Sequence, residues 1–350
     1  MKKAIAAIML LCGISAGVEF NSPVEEQARS AEFSANTSTA FSLLDMSPAT
    51  INTFGSAKEI KVDWFMKDRK IVDNIAVEIL PIWMIFFRNV NMQEYRELPY
   101  IVRKLGDIKF SMGNKKALTN HNFGVAVNFN LFSQAEPSMD TNLLAQIKAI
   151  VSEKERKLFR ESMRLEMALE MAPIAEKSSI QSRIDAIDDE LSILSEKEQA
   201  RLKRVVEDYK RKNWNKAFVN IGAGNVTSYY LSDDYSKFEL FGNTWIFWLH
   251  YGFPIKEHMQ LLMLNRYYTS RQMCNGLNLR VGGSDERNVF TEFLAYTDFT
   301  KKGLTTYVIG VGGSVKFKKK YFISLGFKFG FSDKFKLKEI TPSYNLNLGF

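Results

Sequence analysis

The feature that most constrains this chain is a strict alternation of side-chain types near its end. Apolar residues occupy every second position from Tyr321 to Phe331, and from Ile323 onward the residues between them are the small or polar Ser324, Gly326, Lys328 and Gly330. The alternation resumes from Pro342 to Phe350. Successive side chains of a β-strand point to opposite faces. The pattern therefore predicts two strands that each have one apolar face and one small, polar face.

Similar patterns predict ten further strands. The clearest runs from Asn122 to Leu131, where apolar residues alternate with Asn, Gly and Ala. The others are predicted at 59–65, 73–83, 107–112, 214–224, 238–250, 258–268, 275–283, 288–297 and 303–315, which makes ten with 122–131. Alternation of lipid-facing apolar and inward-facing polar residues in an even number of strands is typical of outer-membrane barrels. The predicted fold class is an all-β transmembrane barrel of about 12 antiparallel strands with an inserted α-helical hairpin.

Hydropathy argues against the other main class of membrane protein. The mean hydropathy of the chain is −0.18. After the first residues, no apolar run reaches the roughly 18 residues that a membrane-spanning helix needs. The net charge of +8 is spread diffusely along the chain, so we expect no nucleic-acid partner.

Both ends of the sequence indicate export to the outer membrane. Lys2 and Lys3 precede a short apolar run and then small residues, which predicts a signal peptide over 1–17. At the other end, Tyr344, Leu346, Leu348 and Phe350 alternate with polar residues, and the chain closes on an aromatic residue. This resembles the C-terminal assembly signal of Gram-negative outer-membrane barrels. The resemblance implies the barrel-assembly machinery and outer-membrane lipid as partners, and the outer membrane of a Gram-negative bacterium as the location.

The predicted organisation has five parts. Residues 18–57 form an N-terminal arm or plug, 58–134 hold barrel strands 1 to 4, 135–213 form the helical insert and 214–350 hold strands 5 to 12. The arm contains Phe41, Leu43, Leu44 and Phe54 in a polar background. Two interpretations are open: a loosely ordered arm, or a plug that packs these side chains into the barrel.

The insert is predicted to be a neutral helical hairpin. Its glycine-free sequence places Ile180, Ile184, Ile187, Leu191 and Leu194 at helical spacings of three and four residues. Pro173 and the Lys177–Ser179 stretch are predicted to make the reversal. Counting strands backward from the C-terminus predicts that the hairpin lies on the periplasmic side of the membrane.

Four segments resemble landmarks of a bacterial family. They are SPATINTFGSAKEI at 47–60, AVEILPIWM at 76–84, FSQAEPSMDTNLL at 132–144 and YKRKNWNKAFVNIG at 209–222. The chain is similar to a broad, functionally uncharacterised family of outer-membrane β-barrel-like proteins with a charged helical insert. It departs from that pattern at Thr50, where Phe is expected. The resemblance implies no catalytic residues.

The residues themselves predict neither an enzyme nor a cofactor. No phosphate-binding loop, nucleophile elbow or metal-ligand pair is present, and the three histidines stand apart from each other and from cysteine. No catalytic, cofactor-binding or metal residues are therefore expected. If the apolar faces contact lipid, the following residues line the lumen: Lys61, Asp63, Glu78, Lys109, Asn128, Asn130, Asn220, Arg280, Lys316 and Lys328.

Some of the aromatic residues that lie near strand ends or within the strands are expected to form interfacial girdles. The candidates are Trp83, Trp214, Trp245, Trp248, Tyr229, Tyr230, Tyr267 and Tyr268.

Two functions fit these features. In the first, the barrel is a membrane anchor or assembly component, and the seam Ile180, Ile184, Ile187, Leu191 and Leu194 of the periplasmic hairpin docks a partner. In the alternative, the barrel is a porin-like channel for small polar or anionic solutes, partly plugged by the N-terminal arm. A long hairpin is an unusual addition to a passive pore, which favours the first function.

Overall fold

The computed structural model describes most of the chain from Ser38 onward. The described residues are 38–47, 49–51, 61–67, 70–87, 92–116, 120–150, 158, 160–162, 164–166, 168–169, 174–192, 196–231, 238–284, 287–301, 303–317 and 321–349. The predicted signal peptide, the first half of the predicted arm, Phe54 and Phe350 lie outside them.

Twelve antiparallel strands form a closed barrel, in which each strand pairs with its sequence neighbours and β1 pairs with β12. This confirms the predicted fold class and strand number. The strands are β1 (Lys61–Lys67), β2 (Lys70–Ile79), β3 (Lys109–Lys116), β4 (His121–Ser133), β5 (Phe218–Leu231), β6 (Phe238–Lys256), β7 (Met259–Tyr268), β8 (Gln272–Ser284), β9 (Arg287–Asp298), β10 (Leu304–Phe317), β11 (Tyr321–Phe331) and β12 (Leu337–Gly349).

The two faces of the barrel wall differ as the alternation predicts. On β9, Asn288, Phe290, Glu292 and Leu294 are buried, and the residues between them are exposed. On β11, Leu325 and Phe327 point outward and are 57% and 52% exposed. A continuous band of exposed apolar side chains is stable only against hydrocarbon, so the barrel wall spans a membrane.

Seven helices accompany the barrel in the described residues. A short helix, α1 (Thr39–Leu43), precedes the first strand; α2 (Pro81–Phe86), α3 (Met92–Glu97) and α4 (Tyr100–Leu105) connect β2 to β3; and α5 (Thr141–Ile150), α6 (Ile174–Ser192) and α7 (Glu196–Asn213) belong to the insert between β4 and β5. Single 3₁₀ turns occur at Pro137–Met139 and Phe299–Lys301. No helix among the described residues is both long and apolar enough to cross a membrane.

The strand predicted from Asp73 to Trp83 is wrong at its end. β2 stops at Ile79, and α2 begins at Pro81. Proline has no N–H to offer a β-ladder, and its fixed φ suits the first turn of a helix. Trp83 therefore lies in a helix, where it packs with Leu80, Phe87 and Tyr95 in a small buried cluster.

The insert folds back on itself as an antiparallel hairpin. Leu143 and Ile147 of α5 are buried against Leu202, Val206 and Tyr209 of α7. The predicted turn at Lys177–Ser179 is wrong, because α6 already begins at Ile174 and runs through these residues. Pro173 directly precedes α6 in the sequence, where a helix can begin after it without losing a hydrogen bond.

Both helical insertions lie at the same end of the barrel. Adjacent strands alternate in direction, so β2, β4 and β12 all end on one side, which we call the hairpin end. Trp214 and Asn215 follow α7 there and are buried. The Asn215 side-chain amide donates hydrogen bonds to the carbonyl oxygens of Lys256, Glu257 and Met259 around the β6–β7 turn, at 2.5, 3.3 and 3.1 Å. The base of the hairpin is thus attached to the barrel wall.

Candidate functional site

The barrel encloses a segment of its own chain. Residues 38–47 and 49–51, which we call the inner segment, contact inward-facing side chains of strands around the barrel. Within the segment, the Ser42 hydroxyl donates to the Thr50 carbonyl at 3.0 Å and joins its two halves. Phe41, Met46 and Ile51 are almost completely buried. The inner segment is therefore part of the barrel interior in this structure.

The wall of the barrel binds the start of α1 through acceptors on three neighbouring strands. The Ser38 N–H donates to Asp63 Oδ2 at 2.6 Å, and the Thr39 N–H and hydroxyl both donate to Glu78 Oε2 at 2.9 Å. The Ala40 N–H donates to Ser111 Oγ at 3.0 Å. The first N–H groups of a helix have no partner within the helix. Here the inward-facing side chains of β1, β2 and β3 supply the missing acceptors.

The other end of α1 meets a cation. Lys115 of β3 donates from Nζ to the Leu44 carbonyl at 2.7 Å. Free N–H groups give a helix N-terminus partial positive charge, and free carbonyls give its C-terminus partial negative charge. With Asp63 and Glu78 at one end and Lys115 at the other, the charges of the wall match the polarity of α1. The wall thus specifies the direction in which this helix lies.

A single carboxylate holds the second half of the inner segment. The Thr50 N–H donates to Glu292 Oε1 at 3.0 Å, and the Ile51 N–H donates to Glu292 Oε2 at 2.7 Å. Lys328 Nζ donates to Thr50 Oγ1 at 3.2 Å, and Asn278 Nδ2 donates to the Ile51 carbonyl at 3.3 Å. Glu292 is completely buried, so both of its oxygens depend on protein donors.

Apolar packing completes the seat of the inner segment. Leu43 and Ile51 join a buried cluster with inward-facing residues that include Trp248, Leu262 and Leu294. Two glycines of the wall make room for them. A Cβ at Gly224 would lie 2.6 Å from Leu43 Cδ1, and a Cβ at Gly276 would lie 2.6 Å from Ile51 Cδ1. Wall and segment are therefore complementary in shape as well as in charge.

The predicted lumen residues fall into two groups. Asp63, Glu78 and Lys328 contact the inner segment directly, as described above. Lys109 lies near Glu78, with its Nζ 3.9 Å from Oε1. Lys61 belongs to β1, but its side chain lies outside the described part of the structure.

The second group lies toward the hairpin end. Asn130 Nδ2 donates to Asn220 Oδ1 at 2.8 Å, and both residues are buried. Arg280 is buried, donates to Asn288 and Gln260 at 3.4 Å each, and its guanidinium lies 5.6 Å from the centre of the Trp214 ring. Asn128 and Lys316 are half-buried at inward register positions.

Several residues of the site were missed from the sequence. Glu292, Lys115, Ser111 and Asn278 all face inward. Asn288 faces inward on β9, and counting from it in steps of two residues would have identified Glu292. The inward apolar residues, such as Trp248 and Leu262, could not be found in this way. The prediction assigned every apolar face to lipid, whereas β7 is apolar on both faces, with Leu261 and Met263 turned outward.

The predicted partner-docking seam is buried at two of its five residues. Ile184 and Ile187 are buried and Ile180 is half-buried; the Leu191 side chain and Leu194 lie outside the described residues. Arg183 of α6 forms an ion pair with Glu161 at 3.1 Å, which joins α6 to the preceding helical residues. Docking of a partner through this seam stays a prediction.

The described part of the C-terminal signal lies in β12. Tyr344 and Leu346 are half-buried there, and Leu348 pairs with Val62 of β1.

The aromatic girdle candidates divide by location. Trp245, Tyr230 and Tyr267 are exposed. Trp248 and Tyr268 face the interior cluster, and Tyr229 stacks on His121. Trp83 and Trp214 are buried among the elements at the hairpin end. Membership of a girdle thus cannot be read from proximity to a strand end alone.

The described residues contain no group of three or more His, Cys, Asp or Glu side chains that could hold a metal ion. The chemistry of the interior is hydrogen bonding and charge pairing between the wall and the inner segment. The fold and this interior define a transmembrane β-barrel that encloses a segment of its own chain.

Three solved barrels were compared with this structure. The KdgM porin is 8% identical, with a TM-score of 0.38 over 83% of this chain and 98% of its own. The Acinetobacter baumannii outer membrane protein Omp33 is 9% identical, with a TM-score of 0.33 over 83% of this chain and 96% of its own. The CymD monoaromatic hydrocarbon channel is 9% identical, with a TM-score of 0.34 over 95% of this chain and 99% of its own.

No family model and no curated protein sequence matches the chain. The resemblance to an uncharacterised family therefore stays a prediction beyond the barrel architecture itself.

Proposed function

We propose that this protein is an outer-membrane channel for small polar or anionic solutes, and that the inner segment closes it. The observation that carries the proposal is the seating of the segment on inward-facing carboxylates, above all on Glu292. A barrel that served only as an anchor could fill its interior with side chains of its own wall. Here glycines of the wall leave space, and a separate segment fills it.

The chemistry of the seat suits a reversible closure. The polar contacts are individual hydrogen bonds from backbone N–H groups, the Thr39 hydroxyl, the Asn278 amide and lysines, and water can replace each of them at a modest net cost. The strands of the wall, in contrast, are joined by continuous ladders around a closed barrel. The inner segment can therefore leave as a unit while the wall stays intact.

The charges of the lumen suggest the class of solute. Removing the inner segment would expose Asp63, Glu78 and Glu292, and also the basic residues of the wall. Lys109, Lys115, Arg266, Arg280, Lys316 and Lys328 lie at inward register positions. Basic groups outnumber carboxylates in this set, so we expect a weak preference for anions in the open channel.

Conductance in planar bilayers tests the proposal. A variant lacking residues 38–51 should conduct, whereas the full chain should stay closed for most of the recording. A matched control locks the segment in place. A Cβ at Gly124 would lie 3.2 Å from Leu44 Cγ, so Gly124→Cys and Leu44→Cys together suit a disulfide between wall and segment.

The lock should be made in a chain in which the two native cysteines, Cys12 and Cys274, are replaced by alanine. Oxidation should hold the channel closed, and reduction should restore the openings of the full chain. Folding of each variant is checked on SDS gels, where a folded barrel migrates differently before and after boiling. A deletion variant that folds by this test and still fails to conduct would refute the channel function.

The anchor function is the weaker candidate. It requires a free seam on the hairpin, and Ile184 and Ile187, two residues of that seam, are already buried in the absence of a partner. The outer-membrane location and the periplasmic position of the hairpin are part of the proposal in either case.

A further inference from the structure

The connection between β2 and β3 presents an apolar surface outside the barrel. Ile85 and Phe86 of α2 are 70% and 69% exposed, and Ile101 and Leu105 of α4 are 70% and 41% exposed. We call these four residues the rim face. The rim face is separate from the small apolar core of this connection, in which Leu80, Trp83, Phe87 and Tyr95 are buried against one another.

The position of α4 is defined by contacts on its other sides. The Tyr100 hydroxyl donates to the Leu131 carbonyl at 2.7 Å, near the end of β4. Lys104 is buried. Its Nζ donates a hydrogen bond to Asn130 Oδ1 of β4 at 2.9 Å and forms an ion pair with Glu136. α4 is therefore anchored to the end of β4 at the hairpin end of the barrel.

The start of α4 lies beside a surface whose surroundings are known. Leu131 and Phe132, next to the Tyr100 contact, point away from the lumen and are exposed as part of the lipid-facing band. α3 differs from its neighbours, because Glu94 and Glu97 are exposed and Tyr95 is the only buried residue among its described side chains. The connection thus alternates between helices with exposed apolar side chains and a helix with exposed carboxylates.

We propose that α2 and α4 lie in the interface of the bilayer at the hairpin end, with the rim face inserted among the lipids. An amphipathic helix in this position buries its apolar face at the boundary between headgroups and acyl chains. The buried Lys104 and the Tyr100 hydrogen bond hold α4 at that depth. The protein would then contact lipid through α2 and α4 at the hairpin end as well as through its strands.

A polarity-sensitive fluorophore can test this placement in proteoliposomes. Bimane is attached to Ile85→Cys or Ile101→Cys in a chain whose two native cysteines, Cys12 and Cys274, are replaced by alanine. Leu325→Cys is the lipid-facing control, and Glu97→Cys on α3 is the water-facing control. Only preparations that show the heat-dependent gel shift of a folded barrel are measured.

We expect bimane at positions 85 and 101 to show a blue-shifted emission and to be quenched by lipids brominated near the headgroup. Lipids brominated near the headgroup should quench this emission more strongly than lipids brominated deep in the acyl chain, as an interfacial location requires. Emission and quenching equal to those of Glu97→Cys would overturn the proposal. The proposal would also be overturned if lipids did not quench these positions and Ile101→Cys formed cross-links between two copies, since the rim face would then be a protein interface.

Discussion

Replacing Glu292 with glutamine is expected to weaken the seat of the inner segment and open the lumen more often. The two carboxylate oxygens accept the Thr50 and Ile51 N–H groups at 3.0 and 2.7 Å in a fully buried site. Glutamine keeps one acceptor oxygen and places an amide N–H group where the second oxygen stood. One backbone N–H then faces another donor, and the remaining hydrogen bond loses its charge.

The size of the effect follows from the hydrogen bonds lost. A hydrogen bond to a charged group contributes roughly 1.5–3 kcal/mol, and leaving a buried donor unsatisfied costs a similar amount. We therefore expect the closed state to lose about 3 kcal/mol relative to the open state. A difference of about 1.4 kcal/mol is tenfold in an equilibrium constant, so the ratio of open to closed channels should rise roughly a hundredfold.

Single-channel recording measures this ratio directly. Glu239→Gln is the matched control, because Glu239 is exposed and should leave the ratio unchanged. Combining Glu292→Gln with the oxidised Gly124→Cys and Leu44→Cys lock should return the channel to the closed state. An open fraction equal to that of the unmodified chain, in a Glu292→Gln barrel shown to be folded, would refute the assignment of Glu292 as the main attachment of the segment.

Three further changes test other parts of the structure. Lys115→Met removes the cation at the Leu44 carbonyl and should raise the open fraction roughly tenfold, for a loss of about 1.5 kcal/mol; Lys116→Met on the exposed side of β3 should not, and equal effects would contradict the role of Lys115. Gly224→Val places a Cβ 2.6 Å from Leu43 Cδ1 and 2.8 Å from the Val125 carbonyl oxygen, so overpacking should cost about 1–3 kcal/mol shared between the segment and the wall. In barrels that still fold, it should be seen as faster proteolysis of the inner segment; unchanged proteolysis would mean that Leu43 does not pack there. Asn215→Ala removes three hydrogen bonds at the β6–β7 turn and should destabilise the barrel by about 1–3 kcal/mol, lowering the temperature of the gel shift without altering conductance; a changed conductance would instead link the hairpin to gating.

The architecture was largely readable from side-chain alternation. All twelve predicted strands exist, because a membrane-spanning strand must present apolar residues to lipid at every second position whatever its neighbours are. The errors occurred where the local pattern had two solutions. Residues Leu80 to Trp83 continue the apolar run of β2 and fit either a longer strand or a helix. The structure shows that a helix starts at Pro81.

The candidate site was only half readable. Asp63, Glu78 and Lys328 were found because a polar residue that alternates with lipid-facing apolar residues must point into the barrel. Their partners could not be found, since the hydrogen bond from Thr50 to Glu292 joins residues 242 positions apart. No local pattern carries information about a contact of that kind.

The sequence by itself determined how many strands close the barrel and, on strands with one polar face, which residues face lipid, because both follow from the two-residue period of a strand. It also restricted the inner segment to a stretch with unusually many apolar residues, including Phe41 and Leu43. Only the tertiary structure decided that this stretch lies in the lumen, and in which direction. That choice depends on charges and glycines from many strands, which converge on α1 only after the barrel has closed.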